Sequence, residues 1–270
     1  MNNTIVSAQW LFENLNHPDL IILDASQHAL TSNVATDCNR KITGARYFDL
    51  KNNFSDKASH LPNTFPNVAQ FESESQKLGI NNSSMLVVYD NLGIYSSPRV
   101  WWMFKTMGHQ QVFVLNGGLP NWIENGFPTE ENKPQQMALG NFKAVFNSAN
   151  VKDLNFIQSN LNNPTNLVID ARSAGRFNGT APEPREGLRS GSIPNSFNIP
   201  YGEVLQNGKF KSKEELTAIF SKINPENKDL IFSCGSGLTA CIILLASELV
   251  LSNKTSVYDG SWTEWAQMEN

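Results

Sequence analysis

The chain is poor in the residues that build metal centres and disulfide frameworks. Its 270 residues hold three cysteines, Cys38, Cys234 and Cys241, and four histidines. No two cysteines form a CxxC pair, and the histidines do not fall at zinc-ligand spacing, so the pattern argues against a metal. Charge is also scarce: Asp, Glu, Lys and Arg make up 17% of the chain and the formal net charge is −4. No basic stretch stands out, which argues against a nucleic-acid partner. The longest apolar run, Ala240 to Ala246, is broken by Ser247 and Glu248. It is too short to span a bilayer and reads as a buried helix, so no membrane partner is expected. The opening residues, MNNTIVSAQW, have no basic segment followed by an apolar core and do not read as a secretory leader. Three thiols without such a leader fit a reducing compartment, and the expected location is cytoplasmic.

What the chain has is a repeat. LIILDAS (Leu20–Ser26) returns as NLVIDARS (Asn166–Ser173), with Asp24 and Asp170 146 positions apart. GARYFDL (Gly44–Leu50) returns as NSFNIPY (Asn195–Tyr201), and LVVYDN (Leu86–Asn91) as LIFSCG (Leu230–Gly235). VFVLNGGLPNW (Val112–Trp122) returns as TSVYDGSWTEW (Thr255–Trp265). A nearly constant offset means a duplicated domain. Each copy alternates short apolar, β-rich runs with helical stretches: Val68–Leu78, Pro98–Met107, Lys213–Ser221 and Thr239–Leu251. That alternation predicts α/β domains with a mainly parallel sheet flanked by helices. The segment ENKPQQMALGN (Glu131–Asn141) is polar and carries Pro and Gly, which reads as a linker. The expected domains are 1–130 and 149–270, joined by 131–148.

The repeat isolates one residue. Asp90 stands opposite Cys234, so the two copies share a strand, a turn and a helix but carry an acid in one and a thiol in the other. Around the thiol the chain reads SCGSGLTA (Ser233–Ala240). Glycines let such a turn curl tightly, successive amides can form an anion-binding nest, and a helix start adds partial positive charge. All three favour thiolate over thiol. The plain alternative is a small buried hydrophobe.

CGSGLTA, with DARSAGRFNGTAPEPREG (Asp170–Gly187) upstream and YDGSWTEW (Tyr258–Trp265) downstream, resembles the tandem rhodanese family, and within it the members that use 3-mercaptopyruvate. PRVWWMF (Pro98–Phe104) and LNGGLPNW (Leu115–Trp122) are similar to that family as well. The resemblance implies two tandem rhodanese-like domains, the first without a catalytic cysteine. It implies that Cys234 takes sulfur from 3-mercaptopyruvate, releases pyruvate, and passes the sulfur from a persulfide to a thiol such as thioredoxin or to cyanide. No cofactor is implied. The amides of Gly235, Gly237, Leu238 and Thr239 would cradle the anion.

Arg176 and Arg185 match the family's substrate-binding arginines, and a guanidinium fork suits the carboxylate of an α-keto acid. An ordinary surface or salt-bridged arginine is the alternative for each. Ser236 is a loop hydroxyl that could bond the substrate or assist proton transfer, and Thr239 reads as the cap of the following helix. His60, in SHLPN, matches a catalytic histidine that the family brings near the loop serine. The family's FFD-x-D pattern reads YFDLK here, with Lys51 at the second acid, so the acid of a Ser–His–acid relay stays open. The GHIPG element reads GSIPN (Gly191–Asn195) and KITGA (Lys41–Ala45), without its histidine. Trp101, Trp102, Trp122, Trp262 and Trp265 read as core or interface aromatics, and Cys241 as buried and inert.

Three rivals remain. A cysteine phosphatase needs C-x5-R, and Ala240 stands where the arginine belongs, leaving a phosphate dianion without its counter-charge. A non-catalytic rhodanese-like scaffold would not keep Cys234. A thiosulfate sulfurtransferase is expected to carry cations after the cysteine, as in C-R-K-G-V-T, where this chain has Gly235 and Ser236.

Overall fold

The computed structural model describes residues 4–27, 40–133, 136–162, 165–224 and 226–268. Cys38 lies outside them. The chain forms two compact units. The first runs to Lys57 and adds Phe65–Phe146 and Asn207–Phe210. The second takes in Ala58–Thr64, Asn147–Gln206 and the chain from Lys211 onward.

In the first unit five parallel strands form one sheet: β1 (Ile5–Val6), β2 (Leu20–Asp24), β3 (Arg46–Tyr47), β4 (Met85–Tyr89) and β5 (Val112–Leu115). Their order is β1-β5-β4-β2-β3. In the second unit the strands are β6 (Val151–Lys152), β7 (Asn166–Asp170), β8 (Phe197–Asn198), β9 (Asp229–Ser233) and β10 (Thr255–Tyr258). Their order, β6-β10-β9-β7-β8, repeats the first one strand for strand. The central strands read LIILD, MLVVY, NLVID and DLIFS, and all but their first residues are buried, as befits parallel strands covered on both faces.

Nine α-helices are formed among the described residues: α1 (Ala8–Glu13), α2 (Val68–Lys77), α3 (Ser97–Thr106), α4 (Gly118–Glu124), α5 (Leu154–Asn162), α6 (Ala174–Phe177), α7 (Lys213–Ile223), α8 (Ala240–Glu248) and α9 (Ser261–Trp265). α3 and α8 follow the central strands and are buried nearly all round, with nine of ten and eight of nine residues inside. Their sequences, SPRVWWMFKT and ACIILLASE, have no polar stripe for solvent. Trp101, Trp102 and Trp122 belong to the core of the first unit, and Trp262 and Trp265 to that of the second.

Where the stretch read as linker begins, Thr129–Glu131 pairs antiparallel with Arg40–Ile42. Further on, the Gly140, Phe142 and Val145 amides donate to carbonyls of Gln76, Ile80 and Met107. Phe142 is buried against Phe71, Phe104 and His109. Residues 136–146 are thus strapped to the first unit by backbone bonds and an aromatic anchor.

Candidate functional site

β9 delivers Cys234 to the end of the sheet, and α8 begins six residues later. The loop between them is held by the start of α9. Ser261 Oγ accepts from the amides of Cys234 (3.3 Å) and Gly237 (3.1 Å) and donates to the Tyr258 carbonyl (2.8 Å). The Trp262 amide donates to the Cys234 carbonyl (2.9 Å). Gly235 O accepts from Thr263 N (3.0 Å) and Thr263 Oγ1 (2.6 Å). Ser261 adopts φ +51°, an uncommon value for a residue with a side chain, and its hydroxyl makes three bonds there. Among the described residues, no hydrogen bond is made by the amides of Gly235, Ser236, Leu238 and Thr239. Cys234 is 2% exposed at the foot of this loop.

The two loop glycines serve different ends. Gly237 has φ +75°, which L-residues avoid. Gly235 does not need a positive φ; it needs room. A Cβ there would lie 3.0 Å from Arg176 Nη2 and 3.6 Å from Arg185 Nη1. Both guanidinium groups therefore converge on the residue after the cysteine.

Arg176, on α6, is oriented by Glu183, which accepts from its Nε (3.1 Å) and Nη2 (2.5 Å). The other Glu183 oxygen accepts from Arg172 Nη1 (2.6 Å). Arg172 is fully buried, forks onto Asp170, and lies 4.2 Å over the Trp262 ring. The chain Asp170–Arg172–Glu183–Arg176 alternates in sign, so each buried charge has an opposite neighbour. Arg185 Nη2 donates to Ser236 Oγ (3.2 Å) and its Nη1 to Thr263 Oγ1 (3.4 Å).

Thus Cys234, Ser236, Gly235, Gly237, Leu238, Thr239, Arg176 and Arg185 share one site in the second unit. His60 is exposed and has no hydrogen-bond partner among the described residues. Besides Arg185, the side chain that bonds Ser236 is Asn63, whose Nδ2 lies 3.0 Å from Ser236 Oγ. Asp49, the first acid of YFDLK, is held by the Asn52 amide and side chain at 2.9 Å each. Thr239 does not cap α8 with its side chain, contrary to the expectation. Its backbone is helical (φ −72°, ψ −16°), whereas a capping hydroxyl needs the extended region. Cys241 is buried and its Sγ donates to the Gly237 carbonyl (3.4 Å).

Sequence reasoning passed over Ser261, Arg172, Glu183 and Asn63. The repeat carried a signal for Ser261, which aligns with Gly118 of LNGGLPNW. Arg172 and Glu183 lay inside the quoted DARS and APEPR stretches, but their burial could not be read. Nothing local marked Asn63.

Two five-stranded parallel sheets of the same strand order, with a cysteine on the loop after the central strand of the second alone, define a tandem pair of rhodanese-type units. The chain belongs to the rhodanese family: residues 7–125 and 154–268 each match the rhodanese-like domain. It is 38% identical to human 3-mercaptopyruvate sulfurtransferase over 97% of this chain and 91% of that protein. It is 39% identical to bovine thiosulfate sulfurtransferase over the same shares. The crystal structure of SseA from Escherichia coli, described as a 3-mercaptopyruvate sulfotransferase, superposes with a TM-score of 0.86 at 35% identity, covering 97% of this chain and 99% of that one.

Proposed function

We propose that the chain is a sulfurtransferase that takes sulfur from 3-mercaptopyruvate onto Cys234 and hands it to a thiol acceptor such as thioredoxin, or to cyanide. The second domain, 149–270, carries the chemistry. The Cys234 thiolate attacks the donor's sulfur. The S–S bond forms as the C–S bond breaks, and the electron pair goes to the donor's methylene carbon, giving the enolate of pyruvate. That carbon takes up the proton the donor's thiol loses. One thiolate and one keto-acid anion become one persulfide anion and one pyruvate, so atoms and charge balance. The outer sulfur then passes to the acceptor and Cys234 returns as thiolate. The free loop amides face charge that stays on the persulfide, the arrangement of an oxyanion hole. A cytoplasmic location goes with this reading, because a reducing thiol pool keeps Cys234 available.

The observation that carries the donor assignment is the approach of Arg176 and Arg185 to Gly235. Overall identity to the two curated relatives does not separate the donors, at 38% and 39%. The loop does. The expected thiosulfate-type loop, C-R-K-G-V-T, carries two cations of its own for a dianionic donor, whereas this loop offers amides and a hydroxyl and the positive charge beside it comes from Arg176 and Arg185. 3-Mercaptopyruvate holds its charge on a carboxylate, which a guanidinium fork can meet. His60 is proposed as a further catalytic group on motif grounds.

Steady-state kinetics on both donors test the assignment. 3-Mercaptopyruvate is expected to exceed thiosulfate in kcat/KM by more than about tenfold, or about 1.4 kcal/mol. Intact mass is expected to rise by one sulfur on exposure to donor, and not at all in Cys234→Ser. A preference for thiosulfate would overturn the donor assignment while leaving the persulfide; a loaded Cys234→Ser would overturn the nucleophile.

A further inference from the structure

Ser236 has an unusual hydrogen-bond balance. Its hydroxyl oxygen has two lone pairs and one proton. Asn63 Nδ2 donates to it at 3.0 Å and Arg185 Nη2 at 3.2 Å. A guanidinium is a donor only. The Asn63 amide is turned with its nitrogen inward, since the same Nδ2 lies 3.5 Å from the Ser236 carbonyl oxygen, which can only accept. Both lone pairs are therefore occupied. No group among the described residues accepts the Ser236 proton.

We propose that Asn63 is a positioning residue: with Arg185 it fills the lone pairs of Ser236 Oγ, so that the hydroxyl is held as a one-way donor to the ketone oxygen of the sulfur donor. The inference rests on the sulfurtransferase reading given above. In that reaction the ketone oxygen gains negative charge as the C–S bond breaks. A hydroxyl already aimed outward meets that charge without reorganising. Two donors on its oxygen also polarise the O–H bond, which strengthens the hydrogen bond it gives. Ser236 is then not a proton acceptor in the reaction. Asn63 sits at φ +58°, a left-handed conformation that Asn and Asp tolerate better than most residues and Gly adopts freely. Asn63→Gly and Asn63→Asp therefore suit the backbone conformation while changing what faces Ser236.

The two variants differ in sign. Glycine removes a donor. Aspartate replaces it with an acceptor, which draws the Ser236 proton inward and away from the substrate. The test is the single-turnover rate of Cys234 persulfide formation from 3-mercaptopyruvate, read by intact mass in wild type, Asn63→Gly, Asn63→Asp, Ser236→Ala and Ser236→Ala/Asn63→Asp. At saturating donor, Asn63→Gly is expected to slow the step about fivefold, and Asn63→Asp at least about tenfold beyond that, with little change in half-saturating concentration. In the Ser236→Ala background Asn63→Asp is expected to change the rate less than about twofold, because the hydroxyl it would turn is gone. Equal effects of glycine and aspartate, or an undiminished aspartate effect without Ser236, overturn the inference alone. A wild type that takes up no sulfur overturns the sulfurtransferase reading, and this inference with it.

Discussion

The two domains make the same turn at the end of the same strand and fill it differently. After β4 the first domain places Asp90, which is fully buried. Its Oδ1 accepts from the Leu92 amide (3.0 Å), and its Oδ2 from the amides of Tyr95 (2.8 Å), Ser96 (3.1 Å) and Ser97 (3.0 Å) and from Ser97 Oγ (2.6 Å). After β9 the second domain places Cys234, and four amides of its loop make no hydrogen bond among the described residues. The surrounding scaffold is shared. Leu119 N donates to Asp90 O at 3.0 Å, as Trp262 N does to Cys234 O at 2.9 Å. Gly118 and Ser261 occupy matching positions at φ +50° and +51°. The turn is thus an anion cradle by its backbone geometry. The first domain carries its own anion covalently, closing the cradle and capping α3. The second domain has no such side chain in the turn, and in the proposed reaction its amides would meet the anion of the persulfide.

The largest effect that can break this comparison is on stability. Asp90→Ala strands several buried donors, and each unsatisfied group costs about 1–3 kcal/mol. With relaxation allowed for, the first domain is expected to lose about 3 kcal/mol or more. Cys234→Ala removes no acceptor from the loop amides and is expected to cost less than about 1.5 kcal/mol. Denaturant unfolding of the two variants measures both. Equal losses would show that the Asp90 carboxylate is not the structural anion.

A second difference lies beside the turn. Where the second domain has Arg172, the first has Ser26, so the charge chain that orients Arg176 has no start there. Arg176→Ala is expected to lower kcat/KM for 3-mercaptopyruvate about tenfold or more, about 1.4 kcal/mol, and Arg176→Lys to restore part of it. Glu183→Gln keeps an acceptor but loses the charge, and is expected to cost about threefold. Unchanged kinetics in Arg176→Ala would remove that guanidinium from the substrate.

Much of this was legible without coordinates, because the repeat compares the molecule with itself. Expected helices at Val68–Leu78, Pro98–Met107, Lys213–Ser221 and Thr239–Leu251 are found within a few residues, since Pro, Gly and apolar periodicity mark such ends. The last stops short, at Glu248. The opposition of Asp90 and Cys234 was visible, but not that the carboxylate gathers five donors, because acceptor geometry depends on how the loop folds back. Gly235 looked like a turn glycine. Its reason is the approach of two arginines, 50 and 59 residues earlier in the chain, which no local pattern encodes. The same holds for Asn63: side chains that meet through the fold leave no spacing to read.

The smallest expected effect separates the paired acids Asp24 and Asp170. Both are buried at the ends of matching strands, 5% and 2% exposed. Asp170 has the Arg172 fork as partner. Asp24 has Ser26, through its amide (2.9 Å) and its hydroxyl. Burial pushes the Asp24 carboxyl above its ordinary range, only partly offset by the Ser26 bonds. A carboxyl with a raised folded-state pKa binds its proton more tightly folded than unfolded. Its stabilising contribution is complete below the ordinary carboxylate pKa of about 3.9, is lost as pH rises through the folded-state value, and stays lost above it. Asp24→Asn removes that loss. At neutral pH it is expected to match or slightly exceed wild type in stability, and the gap is expected to close as pH falls. Asp170→Asn leaves buried Arg172 short of a counter-charge and is expected to destabilise the second domain. Denaturant midpoints for both variants from about pH 4 to about pH 8 carry the test. If Asp24→Asn costs as much as Asp170→Asn at neutral pH, the two strand-end acids are equivalent, and the difference between domains is confined to the cradle.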